Sequence, residues 1–256
     1  MSSSPKIGFH DKKILVTGAG RGIGKAIVAE LYGRGAKVYA LSKTHANLKS
    51  LTEEFPNVIP ICVDLENWEE TRKAVEPIEP LDCLINNAGV VEPLPILQVT
   101  PESFDTHFNV NLRGALNVSQ IVAKKMITKG NGGSIVNISS VSGQKAISGL
   151  GPYCCSKAAL DMLSKCLALE LGANQIRVNS LVLGPVATDI ANADNYEGVS
   201  NEKMDNCLEM LLRRTPTGKL FKPMSDVVNT ILFLISNQTT QITGQCLALD
   251  GGFFCS

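Results

Sequence analysis

The sequence predicts an α/β protein in which a parallel sheet of seven strands carries helices on both faces. Short apolar segments alternate with amphipathic helical segments from one end of the chain to the other. The apolar segments are continuous rather than alternating, which is typical of strands buried on both faces. No Pro/Ser-rich linker or block of charge divides the chain. These observations favour a doubly wound, Rossmann-like fold and one domain over residues 1–256.

The individual elements follow from the positions of these segments. We expect strands near residues 13–17, 37–41, 58–63, 81–86, 134–139, 176–182 and 246–249. We expect helices near residues 22–33, 45–54, 67–75, 101–129, 153–172 and 225–236.

A polar segment near residues 186–216 interrupts the alternation and contains an amphipathic stretch, Lys203–Arg214. A long insertion over the carboxyl ends of the strands is typical of an active-site lid. The alternative is a surface excursion without a function.

The first strand ends in a glycine-rich turn. Its residues Ile14, Leu15 and Val16 are followed by glycines spaced G-x-x-x-G-x-G at positions 18, 22 and 24. The related pattern G-x-G-x-x-G does not fit, because Ile23 occupies its last position. A strand, a glycine turn and a helix together point helix N-terminal amides at a pyrophosphate. The spacing therefore indicates a dinucleotide site.

Tyr153 and Lys157 are four residues apart on a predicted helix, so they lie on the same face. A free tyrosine phenol has a pKa near ~10, too high for acid–base catalysis at neutral pH. The positive charge of the lysine favours the phenolate and lowers that pKa. The pair is a candidate for proton transfer, although this spacing alone also arises by chance in many helices.

Two further strands place polar residues at their carboxyl ends. Leu81–Asn86 opens into Asn87, Ala88 and Gly89, and the strand near 134–139 delivers Ser139 and Ser140. Ligands in open α/β sheets bind where such ends meet, so these features converge on one crevice. Together with the glycine turn and the Tyr/Lys pair, they resemble the short-chain dehydrogenase/reductase family over residues 13–252.

That resemblance implies roles for four residues. Tyr153 would donate a proton to a carbonyl oxygen, and Lys157 would hold the ribose hydroxyls and lower the tyrosine pKa. Ser140 would hydrogen-bond the carbonyl oxygen; Ser139 is an alternative, but the thirteen-residue gap to tyrosine in the family selects Ser140. Asn111 matches an asparagine that carries a water to the lysine, and a helix-interior polar residue with a local bond is its alternative.

The second strand ends in Ser42, Lys43 and Thr44, with no acidic residue to bind the ribose hydroxyls of NAD. These donors, together with Arg21, favour the 2′-phosphate of NADPH/NADP+. Asp64 matches the adenine-binding acid of the family and is compatible with an N-cap of the helix from Glu66. The remaining residues implied to bind the cofactor are Gly18, Gly20, Gly22, Ile23, Gly24, Leu65, Asn87, Ala88, Gly89, Val186 and Thr188.

The same resemblance narrows to the dicarbonyl/L-xylulose reductases, the tetrameric carbonyl reductase group. It rests on segments such as Tyr153–Lys157, Ala159–Leu163 and Gly251–Cys255, and it implies reduction of L-xylulose to xylitol and of small α-dicarbonyls such as diacetyl. Val141, Ile147 and Leu150 would form an apolar substrate wall that suits diacetyl better than a sugar. Alternatives are another carbonyl substrate (a 3-oxoacyl thioester, a polyol or ketose, or a steroid) and a non-catalytic dinucleotide-binding scaffold.

One departure from the family concerns the segment before Thr188. The family reads N-P-G, whereas this chain reads Val182-Leu183-Gly184 followed by Pro185, so that proline falls two places late. Gly184, Val186 and Thr188 stay in register, and cofactor binding is expected to survive.

Composition excludes several functions. The formal net charge is zero with scattered Lys and Arg, which gives no electrostatic case for nucleic acid. The eight cysteines and three histidines show no zinc spacing, so we expect no metal. Cysteine usage fits a reducing cytoplasmic compartment, with helix packing favoured over a redox switch for Cys154 and Cys155. The start lacks an apolar signal region, and Ile231–Ile235 is too short to cross a bilayer.

The helices expected at Asp105–Lys129 and Tyr153–Leu171 carry more apolar residues than one sheet-facing stripe requires. We expect the surplus to be buried against a second copy, with Gly251–Cys255 forming a second patch. Two different two-fold contacts would give a homotetramer, as the resembling group forms. The apolar residues concerned are Val118, Ile121, Met126, Ile127, Leu160, Leu163 and Leu167.

Overall fold

The computed structural model describes residues 8–188, 209 and 211–255. In that part of the chain, seven strands form one sheet in the order β3-β2-β1-β4-β5-β6-β7, and every adjacent pair is parallel. The strands are β1 Lys13–Thr17, β2 Lys37–Ser42, β3 Ile59–Cys62, β4 Cys83–Asn86, β5 Gly133–Ser140, β6 Ile176–Leu183 and β7 Cys246–Leu249. The predicted α/β fold class is confirmed.

The helices cover both faces of the sheet. They are α1 Gly22–Gly33, α2 His45–Glu54, α3 Trp68–Val75, α4 Pro101–Phe108, α5 Ala115–Lys129, α6 Gly151–Leu171 and α7 Met224–Ile235. One buried apolar cluster joins α1, α2 and α7 to the sheet, and another joins α3, α5 and α6 to its other face. Neighbouring strand residues alternate between them: Ile14 and Val16 belong to the first cluster and Leu15 to the second.

The direction of winding reverses between β1 and β4. From β1 the chain builds outward to β2 and β3, then returns to place β4 on the other side of β1. Such a reversal leaves a crevice at the carboxyl ends of the two strands, where ligands bind in this architecture. Thr17 ends β1 and Asn86 ends β4, so the glycine turn and the Asn87–Gly89 segment flank this crevice.

The helix predicted at 101–129 is interrupted. Its middle, Asn109–Gly114, is a π-helical segment between α4 and α5. The substitution of a π turn for an α turn changes which residues face the crevice, and π turns occur frequently at functional sites. Pattern analysis with a period of 3.6 residues could not detect it.

Candidate active site

The glycine turn is held against the end of β4 by close packing. Gly18 has a φ of +64°, and a Cβ there would lie 2.8 Å from the Cα of Ala88. A Cβ on Gly24 would lie 2.1 Å from the carbonyl oxygen of Gly18. The Thr17 hydroxyl accepts hydrogen bonds from the backbone N–H groups of Asn87 and Ala88, at 3.0 and 3.1 Å. The turn is thus a rigid cradle that only glycine can form at these positions.

A cavity of about 1590 Å³ runs from this turn along the carboxyl ends of the strands. It is lined by all the residues that sequence analysis proposed for the cofactor, the substrate and proton transfer, except Gly24 and Asn111. Gly24 lies beneath the turn and acts through packing, whereas Asn111 lies behind the cavity wall. At the wall itself are Ser140, Tyr153 and Lys157 at one end, and Ser42, Lys43 and Thr44 at the other.

Lys157 is the most deeply buried charged group of the site. Its side chain is on α6, the residue is only 4% exposed, and its Nζ donates to the carbonyl oxygen of Ile138 at 2.9 Å. Burial lowers the pKa of Lys157 to about 8, with the charge of Asp161 acting in the opposite direction. The Nζ also lies 5.7 Å from the centroid of the Tyr153 ring. An ammonium group and a phenol therefore share one face of α6.

The two serines at the end of β5 differ in their contacts. The Oγ of Ser140 accepts a hydrogen bond from the backbone N–H of Ser142 at 3.1 Å, which orients it at the cavity. The buried Oγ of Ser139 has no hydrogen-bond partner among the residues that the structure describes.

Asn111 lies within the π-helical segment and is fully buried. Its Oδ1 accepts from the backbone N–H of Val90 at 2.8 Å, and its Nδ2 donates to the carbonyl of Val90 and to Ser156 Oγ, both at 3.0 Å. These bonds join distant parts of the chain, so the alternative of a local bond is wrong. A Cβ on Gly89 would lie 3.3 Å from Asn111 Oδ1 and 3.5 Å from Lys157 Nζ, which places all three residues together.

At the other end of the cavity, Lys43 lies near an acidic residue. Its Nζ is 3.7 Å from Asp64 Oδ2, and both side chains are largely exposed. The Oδ1 of Asp64 accepts from the backbone N–H of Glu66 at 3.1 Å. The expectation that Asp64 caps a helix from Glu66 is wrong, because α3 begins at Trp68 and its N-cap is Asn67.

The segment with the displaced proline is held by the backbone of two neighbours. Gly184 N donates to Leu249 O at 3.1 Å, and Lys222 N donates to Pro185 O at 2.8 Å. Val186 and Lys222 form an isolated parallel bridge. A Cβ on Gly184 would lie 3.0 Å from Lys222 Cε, so the chain passes closely there. This pairing keeps Val186 and Thr188 on the cavity wall despite the shifted proline.

Two parts of the cavity wall are not predicted by the sequence. Asn47 on α2 lines the cavity beside the glycine turn, where a Cβ on Gly20 would lie 2.7 Å from its Cβ. Its position one turn into the helix after the second strand was the available signal. The second part is the segment Val90–Leu97, which is apolar except for Glu92 and lines the cavity with its apolar residues. It follows the Asn87–Gly89 motif directly, and that proximity could have identified it.

Most of the predicted lid, 189–208 and residue 210, lies outside the described residues, and so does most of the stretch Lys203–Arg214.

Burial raises the pKa of the Cys154 thiol, which opposes formation of a reactive thiolate. Within the described ranges, no group of three or more His, Cys, Asp or Glu side chains could hold a metal ion. No helix there is long and apolar enough to span a membrane.

The family model "short chain dehydrogenase" matches residues 12–197. The chain belongs to the short-chain dehydrogenase/reductase family, whose members are oxidoreductases that use a nicotinamide dinucleotide. The predicted resemblance to that family is confirmed.

Within the family, the chain is 46% identical to the L-xylulose reductase of Mus musculus, with 98% of this chain and 99% of that protein covered. It is 42% identical to carbonyl reductase (NADPH) 2 of Sus scrofa, with 98% and 100% covered. Among solved structures, gluconate 5-dehydrogenase from Burkholderia cenocepacia in complex with NADP and tartrate has a TM-score of 0.88 at 27% identity, with 97% of each chain covered. The predicted similarity to L-xylulose and carbonyl reductases is confirmed.

Proposed function

We propose that this protein is an NADPH-dependent carbonyl reductase that acts on small α-dicarbonyls such as diacetyl and reduces L-xylulose to xylitol. The observation that carries this proposal is the gathering of Ser140, Tyr153 and Lys157 at one end of a cavity whose other end is a glycine cradle. A bound nicotinamide dinucleotide would supply the hydride. The cradle fits such a group, because Gly18, Gly20 and Gly22 line the cavity without side chains, so that a diphosphate can approach the backbone directly.

Side chains of the protein would supply the proton and stabilise the negative charge that develops on the carbonyl oxygen. Tyr153 would give its phenolic proton to the carbonyl oxygen, while Ser140 donates a hydrogen bond to the same oxygen and stabilises the developing negative charge. Because the pKa of Lys157 is about 8, its ammonium is charged at neutral pH. It would then favour the phenolate left on Tyr153 and bind the ribose hydroxyls.

Asn111 has a less direct part in the proposal. Its side chain is bonded to Val90 and Ser156, so a water between Asn111 and Lys157 would have to use the remaining acceptor positions of the amide or the backbone carbonyl. Asn111 lies within the π-helical segment, and such segments occur frequently at functional sites, which supports a water position there.

The nucleotide would lie between the cradle and the ends of β2 and β3. Asp64 and Leu65 would bind the adenine, with Asn87, Ala88 and Gly89 along the adenosine side. Val186 and Thr188 would hold the carboxamide. We propose that the segment near 186–216 closes over this cleft and that residues 1–256 form one domain.

The NADPH preference rests on Arg21, Ser42, Lys43 and Thr44, which line the cavity without an acidic residue at the end of β2. Replacing Lys43 by Asp should weaken NADPH binding about 10- to 100-fold, because attraction for the 2′-phosphate becomes repulsion. NADH affinity should change little. Fluorescence titration with both cofactors measures the two values.

Lys49→Asp is the matched control for this experiment. Lys49 is an exposed lysine on α2 that does not line the cavity. Its replacement by Asp changes the net charge by the same amount as Lys43→Asp, but at a position away from the cavity. If the ratio of the NADPH Kd to the NADH Kd is the same in the Lys43→Asp variant and in the control, Lys43 does not contact the phosphate.

The choice of substrate rests on the relatives and on the wall of the cavity. Val141, Ile147 and Leu150 line the substrate side, and apolar walls favour diacetyl over a polyhydroxylated sugar. The names of the relatives support both kinds of substrate. A panel of kcat/KM values with NADPH, including a 3-oxoacyl thioester and a steroid, separates these possibilities.

We also propose a homotetramer. Several residues that the sequence places at its contacts are buried inside the single chain and therefore cannot contact a second copy. Val118, Ile121, Met126 and Leu160 are buried in the core, and so is Phe253 of the C-terminal segment. Exposed apolar side chains nevertheless form two sets: Phe104, Ile127, Met162 and Leu169 on α4, α5 and α6, and Phe233 and Leu247 on α7 and β7.

Light scattering should give a mass near 110 kDa, four times the 27.4 kDa of one chain. Leu169 is 86% exposed, and Leu169→Asp should reduce the assembly to dimers by breaking one of the two contacts. A mass near that of one chain for the unaltered protein would refute the assembly.

The described cysteines are free, and Cys62, Cys155, Cys166 and Cys255 are exposed. Exposed free thiols persist in reducing compartments, which supports a cytoplasmic location.

A further inference from the structure

A short segment after β4, residues 90–94, borders the part of the cavity that the proposed function assigns to the substrate; we term it the strap. Val90, Val91, Pro93 and Leu94 line the cavity. Both backbone groups of Val90 are bonded to the Asn111 side chain, and Leu94 N donates to Gly149 O at 2.9 Å. The two ends of the strap are therefore anchored, and its middle residue is Glu92.

Glu92 is held by two side chains of α4. Its backbone N–H donates to His107 Nε2 at 3.1 Å, and its carboxylate accepts from Ser103 Oγ at 2.5 Å. His107 is only 1% exposed, and its Nδ1 is 2.7 Å from the carbonyl oxygen of Ser103. The imidazole thus joins α4 to the centre of the strap from inside the protein.

These contacts determine the protonation state of His107. A backbone N–H can only donate, so Nε2 must be the acceptor; a carbonyl can only accept, so Nδ1 must carry the hydrogen. Only the neutral imidazole with hydrogen on Nδ1 satisfies both partners. A protonated imidazole would direct a second N–H at the N–H of Glu92 and break that bond.

The same imidazole contacts Tyr153. The two rings meet edge to face, with centroids 6.5 Å apart and an interplanar angle of 69°. Such a contact restricts the orientation of the Tyr153 ring. His107 therefore touches both the strap beside the substrate and the residue proposed to donate the proton.

We propose that neutral His107 is a positioning residue, which sets the strap and the Tyr153 ring for carbonyl reduction and releases the strap when it is protonated. This inference rests on the proposed function. The titratable or charged groups facing the imidazole are Glu92 from the strap and Tyr153 from α6, with Lys157 next to the Tyr153 ring.

Two variants separate positioning from a purely structural role. A glutamine at position 107 offers an amide oxygen to Glu92 N at every pH, whereas a phenylalanine keeps the ring contact but cannot accept. We expect His107→Phe to lower kcat/KM for diacetyl about 3- to 10-fold through a higher KM for the carbonyl, as loss of one hydrogen bond predicts. The Kd of NADPH should stay within about twofold, since the strap lies on the substrate side.

The decisive readout is the pH profile of kcat/KM between pH ~5 and ~8, where histidine changes its charge. The unaltered protein should lose activity on the acid side, and His107→Gln should remove that acid limb. The chain has two other histidines, at 10 and 45. His10→Gln, at an exposed position outside the cavity, is the matched control and should keep the limb.

Amide hydrogen exchange tests the same bond without any substrate. After correction for intrinsic rates, the Glu92 amide of the unaltered protein should be protected at pH 8 and lose that protection near pH 5, but stay protected in His107→Gln. Unchanged protection at both pH values, or an acid limb that persists in His107→Gln, would overturn the inference. Failure of the proposed function looks different: no carbonyl would be reduced, while the exchange result would still hold.

Discussion

Replacing Tyr153 by Phe should lower kcat for carbonyl reduction about 10²- to 10⁴-fold while leaving NADPH binding within about twofold. The change removes a single oxygen atom from a partly buried ring that contacts His107 and lies beside Lys157. Packing is conserved, so the loss would measure the proton transfer itself. Steady-state assays with diacetyl and NADPH, paired with a fluorescence titration of the cofactor, give both numbers.

The matched control for that experiment is Tyr32→Phe. Tyr32 packs against Phe55 at a centroid distance of 5.3 Å and does not line the cavity, so the same chemical change there should leave kcat unaltered. Turnover near that of the unaltered protein in Tyr153→Phe would refute the assignment of the proton donor. A parallel loss in both variants would point to a general effect on folding.

Replacing Gly24 by Ala should produce the largest loss of stability and cofactor binding. The new Cβ would lie 2.1 Å from the carbonyl oxygen of Gly18 and 2.7 Å from Asn87 Nδ2. The first of these is backbone, so the turn must move as a whole, at a cost of about 3 kcal/mol or more. We expect a melting temperature lower by about 6–12 °C and an NADPH Kd raised at least ~100-fold.

Gly33→Ala provides the comparison within the same helix. Gly33 ends α1, and an added Cβ there would meet nothing within 4 Å. The melting temperature should therefore stay the same or rise slightly, because alanine favours helix more than glycine does. Equal melting temperatures for the Gly24 and Gly33 variants would mean that the turn can relax, and would contradict its description as a rigid cradle.

The parts of the site that the sequence could predict are those encoded by local spacing. The glycines at 18, 22 and 24 determine a turn, and Tyr153 and Lys157 share a helix face because they are four residues apart. Strand ends were predicted to within one or two residues because buried strands are short, apolar and bounded by polar residues.

The parts that could not be predicted depend on contacts between distant residues. His107 and Glu92 are fifteen positions apart and belong to no recognisable motif, so only the folded chain brings them together. The π-helical segment has no periodicity of its own. Val118 and Met126 are buried in the second apolar cluster, between α5 and the sheet. An excess of apolar residues on a helix does not reveal whether they pack inside the same chain or against a second copy.

Lys157 connects this site to the stability of the whole protein. Its pKa is about 8 in the folded chain and near 10.5 when exposed to water, so folding at neutral pH must take a charged ammonium out of water. Because the folded state binds fewer protons than the unfolded state between these two values, the unfavourable contribution falls as the pH rises through that window. Below pH 8 it is present in full. The protein thus sacrifices stability at the position where its chemistry needs a charge, and a ligand that binds the ammonium would return part of that stability.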